Sequence, residues 1–424
     1  MSFGKKVAIL NSSRTPFVKS QTQYTGISNQ ELLGTALTDL INKTHIQGKL
    51  LGDLIAGAVM NHPFDWNLAR EAVLGSQLSP ETPGLTIQRA CGTGLEAVNL
   101  IALKIASGQI VVGIGGGTDT NSDTPLIGQR RLTHFLIHLN QAKGFKERFA
   151  VLKKFRLSML KPLLPAVREP RTGLSMGEHC ELMVKEWHIS RVAQDELTLK
   201  SHQNAAQAYD EGFYDDLIVP INNLKRDGIT RKDTTLEKLS KLKTAFDTSE
   251  KGTLTAGNST PLTDGASMVL LGTPAWAKEH NLEVLAYFVD CEVAAVDFVH
   301  GAGLLMAPTI AVNRLLARNN LTLQDFDYYE IHEAFAGQVL CTLKAWESED
   351  YCKKVLGRDK PLGSIDLQKM NVKGGSLALG HPFAATGGRI VGAAAKILAE
   401  KGKGRILVSV CTAGGMGVAA IIER

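Results

Sequence analysis

The chain has 424 residues, 44% hydrophobic and 21% charged, with a formal net charge of +5. That length can bury large cores and predicts two or more domains of an ordinary soluble globular class. The mild positive charge suits an anionic ligand and gives no ground for a nucleic-acid partner. Six scattered cysteines without a CxxC pair point to a reducing compartment rather than a disulfide scaffold.

Residues 5–10 run directly into a predicted strand, with no signal peptide and no apolar span of about 18 residues behind it. With Ile421-Ile422-Glu423-Arg424 carrying no peroxisomal address, cytoplasm is the expected location. Further on, Leu85-Thr86-Ile87-Gln88-Arg89-Ala90 ends at Cys91, which opens a glycine-punctuated helical stretch reaching Ser107-Gly108. A strand turning sharply into a helix presents a nucleophile to substrate. The sulfur would also sit at the positive end of that helix, where N–H groups and the dipole favour thiolate. A short strand over 110–114 then precedes Gly115-Gly116-Gly117-Thr118-Asp119. No acid follows at the interval a dinucleotide fingerprint requires.

Residues 128–171 hold eleven basic side chains against Glu147 and Glu169, with apolar residues interleaved. Such a segment suits an anionic membrane or a partner helix; the alternative is a solvated face with its apolar side on a core. Helical patterning returns after Ser190. Then come Ile331-His332-Glu333-Ala334-Phe335-Ala336, the small-residue loop from Gly374 to Gly387 around His381, a helix over 388–398, a strand over 405–410 and Cys411-Thr412-Ala413-Gly414-Gly415-Met416-Gly417. Loop, helix, strand and glycines recur in the same order around Cys91 and around His381, which predicts two similar α/β halves. Cys91, Cys411, His332 and His381 form a Cys₂His₂ set on paper, but no spacing matches a zinc site, and no metal is expected.

These four motifs, in this order and preceded by Ser13-Arg14-Thr15-Pro16-Phe17, make the chain resemble the thiolase family over its whole length. The resemblance implies an α/β thiolase fold: duplicated βαβαβαββ halves in five layers (αβαβα) with an inserted loop domain. The N-terminal half would span 1–125 with 250–285, and the C-terminal half 286–424. The loop domain, 126–249, would cover acyl-CoA and carry the basic insertion 128–171. The implied reaction is thiolytic cleavage of 3-oxoacyl-CoA by CoA, giving acetyl-CoA and a shortened acyl-CoA through an acyl-cysteine, as in fatty-acid β-oxidation. An acetoacetyl-CoA thiolase working in Claisen condensation would carry the same residues. An inactive scaffold subunit is the reading from another class, and the four intact motifs argue against it. A decarboxylating condensing enzyme would carry histidine in place of Cys411.

Roles follow by motif. Cys91 aligns with the acyl-accepting nucleophile, His381 with the histidine that activates it, and Cys411 with the cysteine that shuttles the α-proton. Backbone N–H groups of Cys91 and Ala413 would form one oxyanion hole, and His381 with His332 the other. Position 332 departs from the asparagine of most thiolases. The histidine is typical of the β-subunit branch of the fatty-acid oxidation multienzyme (trifunctional) complex. The stretch from Asn258 to Gly265, the basic insertion and Gly115–Asp119 point the same way. Glu333 would orient its neighbour, and His202 would be structural.

For substrate, Met176 would line the acyl pocket, with Ser175 leaving room for a longer chain than the usual histidine. Arg231 would pack on the CoA adenine, Ser259 and Thr260 would flank the pantetheine arm, and Phe335 would wall the site. CoA is expected as co-substrate with no tightly bound cofactor. The expected assembly is a homodimer, or a dimer of dimers. A hydratase/dehydrogenase subunit or a membrane surface would be met through 128–171.

Overall fold

A computed structural model describes residues 5–163, 165 and 167–424. Its strands are β1 (Val7–Arg14), β2 (Val18–Lys19), β3 (Asp53–Ala56), β4 (Gly84–Thr86), β5 (Val112–Asp119), β6 (Thr263–Gly272), β7 (Ala286–Ala295), β8 (Tyr328–Ile331), β9 (Arg405–Thr412) and β10 (Met416–Glu423). They run in the order β4-β3-β5-β6-β1-β7-β10-β9-β8, with β2 paired to β6. The order is that of two sheets joined at an edge. Each has parallel inner pairs (β3 with β4 and β5; β8 with β9) closed by an antiparallel pair, β5–β6 or β9–β10. The seam is the short antiparallel pairing of Val7–Ile9 with Ala286–Phe288.

Alternation along the strands explains the layers, since neighbouring residues point to opposite faces. Ile9, Val269, Val408 and Val418 share one core with helices Thr93–Ala106 and Thr386–Lys401, which pack against each other. Residues one position along face outward. Leu10 and Leu270 meet helix Asn29–Thr44, while Leu407 and Ala419 meet helix Ala307–Asn319. Helix, sheet, paired helices, sheet and helix make five layers, and the duplicated α/β fold follows.

The Ser13–Phe17 motif also has a physical role. Arg14, 3% exposed, grips Asp227 through both guanidinium nitrogens at 2.6 and 2.7 Å, and the same carboxylate accepts the Phe17 N–H. A buried, bidentate pair of this kind pins the segment around Asp227 to β1.

One local expectation is corrected. The glycines at 115–117 do not follow the strand; they lie inside β5. A Cβ on Gly115 would come within 2.7 Å of the Val98 backbone, and one on Gly117 would overlap the Ala384 carbonyl. The strand runs under a helix and a loop too close for side chains, which is what glycine permits.

Residues 124–167 form a compact unit of their own. It holds helices Arg130–Gln141 and Phe145–Leu152 and a short 3₁₀ turn, Leu157–Leu160, none of which buries a residue. Phe135 and Phe155 meet at 5.4 Å. Phe145, Leu152 and Leu160 stand exposed, and Leu164 lies outside the described residues. The end of the basic segment, Arg168–Arg171, belongs instead to the large unit, where Glu169 is buried. Among the described residues, no helix is long and apolar enough to cross a membrane.

Candidate active site

Cys91 sits on a tight turn between β4 and helix Thr93–Ala106. Ala90, just before it, has φ +44°, a left-handed conformation that strains a residue with a Cβ. Thr93 holds the turn: its hydroxyl accepts from Arg89 N–H (2.8 Å) and donates to the Ala90 carbonyl (2.6 Å). The N–H groups of Ala413 and of Cys91 itself lie toward the sulfur and favour its charged form. These donors do not win. Burial, the largest effect, pushes the thiol up to about 12, and Asp119 and Glu169 push the same way. The expected thiolate is therefore corrected to a neutral thiol, because desolvation outweighs two N–H dipoles.

The second half of the site comes from the opposite sheet. His332 follows β8, His381 precedes helix Thr386–Lys401, and their rings lie 4.1 Å apart, both buried. Burial, with Arg389 nearby, holds His381 down to about 3. Burial, His381 and Arg389 hold His332 well below the ordinary imidazole range. Both rings are neutral at pH 7.

The tautomer of His332 follows from its neighbours. Arg389 can only donate, and its Nη2 lies 2.7 Å from Ser376 Oγ. The Ser376 hydroxyl proton then goes to Nδ1 of His332, 2.8 Å away. The imidazole proton is thereby assigned to Nε2, a buried atom without a hydrogen-bond partner among the described residues. That atom is a ready donor for a developing oxyanion.

Two glycines bring the halves together. A Cβ on Gly94 would overlap the Ala384 carbonyl, and one on Gly387 would overlap Leu95 N. The N-terminal ends of the two central helices therefore touch, and with them the Cys91 and His381 loops. Gly387→Ala is expected to lower stability by about 1–3 kcal/mol through overpacking. It is also expected to lower kcat, because the reacting groups move apart; thermal melts and thiolysis assays on one preparation measure both.

Cys411 is the penultimate residue of β9 and is buried; burial holds its thiol well above the ordinary thiol range, and Cys91 beside it pushes the same way. It shares an apolar cluster with Phe335, Met183 and Leu305, and Met176 packs on its edge. Ser259 bridges to Phe335 through backbone, and its hydroxyl is buried without a partner among the described residues. The Thr260 hydroxyl instead donates to the Ala334 carbonyl at 3.1 Å. Ser175 has a task of its own: it caps helix Met176–Glu186 in a reciprocal capping box with Glu178. Arg231 lies on an exposed stretch, and its N–H donates to His202 Nδ1. His202 is thus a buried acceptor. Glu333 accepts from Ser201 (2.7 Å), Asn371 (2.5 Å) and Leu377 N–H (3.2 Å), tying the 371–377 loop to the residue after His332.

Ser376, Arg389 and Asp119 were missed from sequence. Asp119 is buried, pushed up to about 7 by desolvation against the N–H groups of Met60, Ala384 and Val59. It ties the 59–60 and 384 loops together. The signal for Arg389 was present: the one charged residue in 386–395, a stretch otherwise of Gly, Ala, Thr, Ile and Val.

Comparison with known proteins agrees with this geometry. The family model for the thiolase N-terminal domain matches residues 7–274, and that for the thiolase C-terminal domain matches 282–424. The chain is 38% identical to the 3-ketoacyl-CoA thiolase of Yersinia enterocolitica, covering 99% of this chain and 97% of that one. Human mitochondrial 3-ketoacyl-CoA thiolase, solved in complex with CoA, superposes with TM-score 0.82 at 27% identity, covering 100% and 99% of the two chains. The acetyl-CoA acetyltransferase of Bacillus anthracis gives TM-score 0.81 at 28% identity, covering both chains completely. Two cysteines and two histidines from matching halves, meeting where the paired central helices begin, are thus set in a chain that belongs to the thiolase family.

Proposed function

We propose that Cys91 carries the acyl group in the thiolytic cleavage of 3-oxoacyl-CoA. The protein is an acyltransferase of the 3-ketoacyl-CoA thiolase type. CoA is the co-substrate, and acetyl-CoA and a shortened acyl-CoA are the products. The observation that carries the assignment is the Cys91 turn packed against the strand end that bears Cys411: a Cβ on Gly92 would lie 2.9 Å from Thr412. His381 takes the thiol proton as the sulfur attacks the 3-oxo carbon, so no free thiolate has to form beforehand. The two N–H groups then hold the tetrahedral oxyanion. As the carbon–carbon bond breaks, the electron pair moves onto the acetyl-CoA enolate, whose oxygen faces His332 Nε2–H and His381. Cys411 protonates that carbon. Incoming CoA gives its thiol proton to the Cys411 thiolate and attacks the acyl-cysteine, and the Cys91 sulfur leaves, recovering its proton from His381. No tightly bound cofactor enters this scheme.

Phe335 and Met176 wall the acyl side, Ser259 and Thr260 flank the pantetheine, and Arg231 reaches the adenine end of CoA. The long-chain β-oxidation branch is supported by His332 and the 128–171 insertion. A chain-length series tests it. With each buried methylene contributing about 0.8 kcal/mol, kcat/KM should exceed that for acetoacetyl-CoA once the 3-oxo chain reaches about eight carbons. A flat or falling series would favour the acetoacetyl-CoA alternative.

The proposed domains are the halves 1–125 with 250–285 and 286–424 around a loop domain, 126–249. A homodimer, or a dimer of dimers, is supported by the sheet edge at β4, flanked by exposed Leu85, Phe64 and Trp66. An open strand edge with apolar neighbours is a surface that proteins cover. A cytoplasmic setting is proposed from the unpaired cysteines.

The basic segment 128–171, most of it in the 124–167 unit, is proposed to dock a hydratase/dehydrogenase subunit or an anionic membrane. Phe145, 86% exposed, and Leu157, 79% exposed, stand among its lysines and arginines. Binding should weaken as added salt shortens the Debye length from about 10 Å toward about 3 Å. Changing Lys153, Lys154 and Arg156 to Glu should release vesicles or partner in co-sedimentation without lowering thiolysis. A variant that aggregates or loses activity would make the segment core structure.

A further inference from the structure

Glu169 has no part in the reaction above, yet the residue is 7% exposed and its carboxylate reaches the loop that follows Cys411. Its backbone closes a tight turn: Glu169 N–H donates to the Leu174 carbonyl, and Gly173 N–H donates to the Glu169 carbonyl, both at 2.8 Å. Ser175, immediately after, caps the next helix. The turn is therefore anchored at both ends, and the carboxylate is held rather than free.

Glu169 Oε1 accepts the N–H of Gly414 at 2.6 Å. Gly414 follows Ala413, whose N–H lies toward the Cys91 sulfur. One residue later the Gly415 carbonyl accepts from Val296 N–H at 2.8 Å. The loop carrying the Ala413 donor is thus gripped at consecutive residues, once by the main chain and once by this carboxylate. The charge itself is unhelpful here, because it opposes ionisation of Cys91. Its contribution is therefore geometric: it holds the Gly414 N–H in place.

We propose that Glu169 is a positioning residue for acyl transfer: through Gly414 N–H it aims the Ala413 N–H at the oxyanion formed on Cys91. The inference rests on Cys91 as the acyl carrier. It gives a role in the chemistry to a residue at the end of the basic stretch, in the part that folds with the large unit.

The test compares Glu169→Gln, Glu169→Asp and Glu169→Ala in the full chain, with acetoacetyl-CoA and CoA as substrates. Glutamine keeps the acceptor at the same reach and loses the charge. Aspartate keeps the charge and falls one methylene short. Removing an oxyanion donor costs about 100-fold or more, so a misaimed one is expected to lower kcat by about 10–100-fold in the Asp and Ala variants, with KM within about twofold. Glutamine is expected to stay within about threefold of wild type. Aspartate outperforming glutamine would overturn the proposal, as would wild-type kcat in all three or a rise in KM alone. If alanine fails to fold, the Gln–Asp comparison still decides. A Cys91→Ser control run alongside separates the two readings. Turnover by that variant would remove the acyl-carrier assignment, whereas a dead Cys91→Ser with a fully active Glu169→Asp removes only the positioning role.

Discussion

Cys91→Ser is expected to abolish thiolysis, lowering kcat by about 10⁴-fold or more while the melting curve stays in place. Oxygen and sulfur are close in size, so the turn held by Thr93 survives. The chemistry does not, because a serine hydroxyl resists deprotonation far more than a thiol, and its ester is a poor acyl donor to CoA. Mass spectrometry after incubation with acetyl-CoA should find one acetyl group on Cys91 in the wild type. An acetyl group on Cys411 with Cys91 bare would reverse the two roles. The pH dependence has a definite sign. Burial raises the Cys91 thiol to about 12 and lowers His381 to about 3, so the neutral pair prevails between them. The ultraviolet absorbance of thiolate, taken as wild type minus Cys91→Ser, should stay at baseline up to about pH 9. A step near neutral pH would reveal a preformed thiolate–imidazolium pair instead.

His332→Ala is expected to lower kcat by about 100-fold with little change in KM, the signature of a donor used only in the transition state. His332→Asn should recover much of that loss, since an amide also donates. Ser376→Ala should fall between them: without the hydroxyl, Nδ1 of His332 is no longer supplied with a proton donor, and the tautomer with Nε2–H loses its advantage. The same steady-state assay decides all three. If His332→Ala raised KM and left kcat alone, the ring would be a wall of the pocket rather than an oxyanion donor.

The nucleophile, both histidines and Cys411 were legible because each stands in a run of small residues that only a close-packed loop requires. The recurrence around Cys91 and His381 was legible for a related reason: two halves that cover opposite faces of the same paired helices repeat one pattern of loop, helix and strand. The cap at Ser175 was not read, and the 115–117 glycines were misread, from local pattern. A capping box and a strand under a helix are both defined by what lies across from them, at Glu178 in one case and at Val98 and Ala384 in the other.

The protonation state of the site was beyond reach for a deeper reason. A cysteine at a helix start favours thiolate only while water solvates the charge. Whether it does depends on how completely the two halves close over it. The chain by itself determined which groups react and on which loops they ride, since residue type and local turn chemistry are properties of short segments. Tertiary structure alone decided that the thiol is neutral, that the His332 proton sits on Nε2 through Ser376 and Arg389, and that Glu169 meets Gly414. Desolvation and hydrogen bonds between segments distant in sequence exist only once the two sheets have closed around their shared helices.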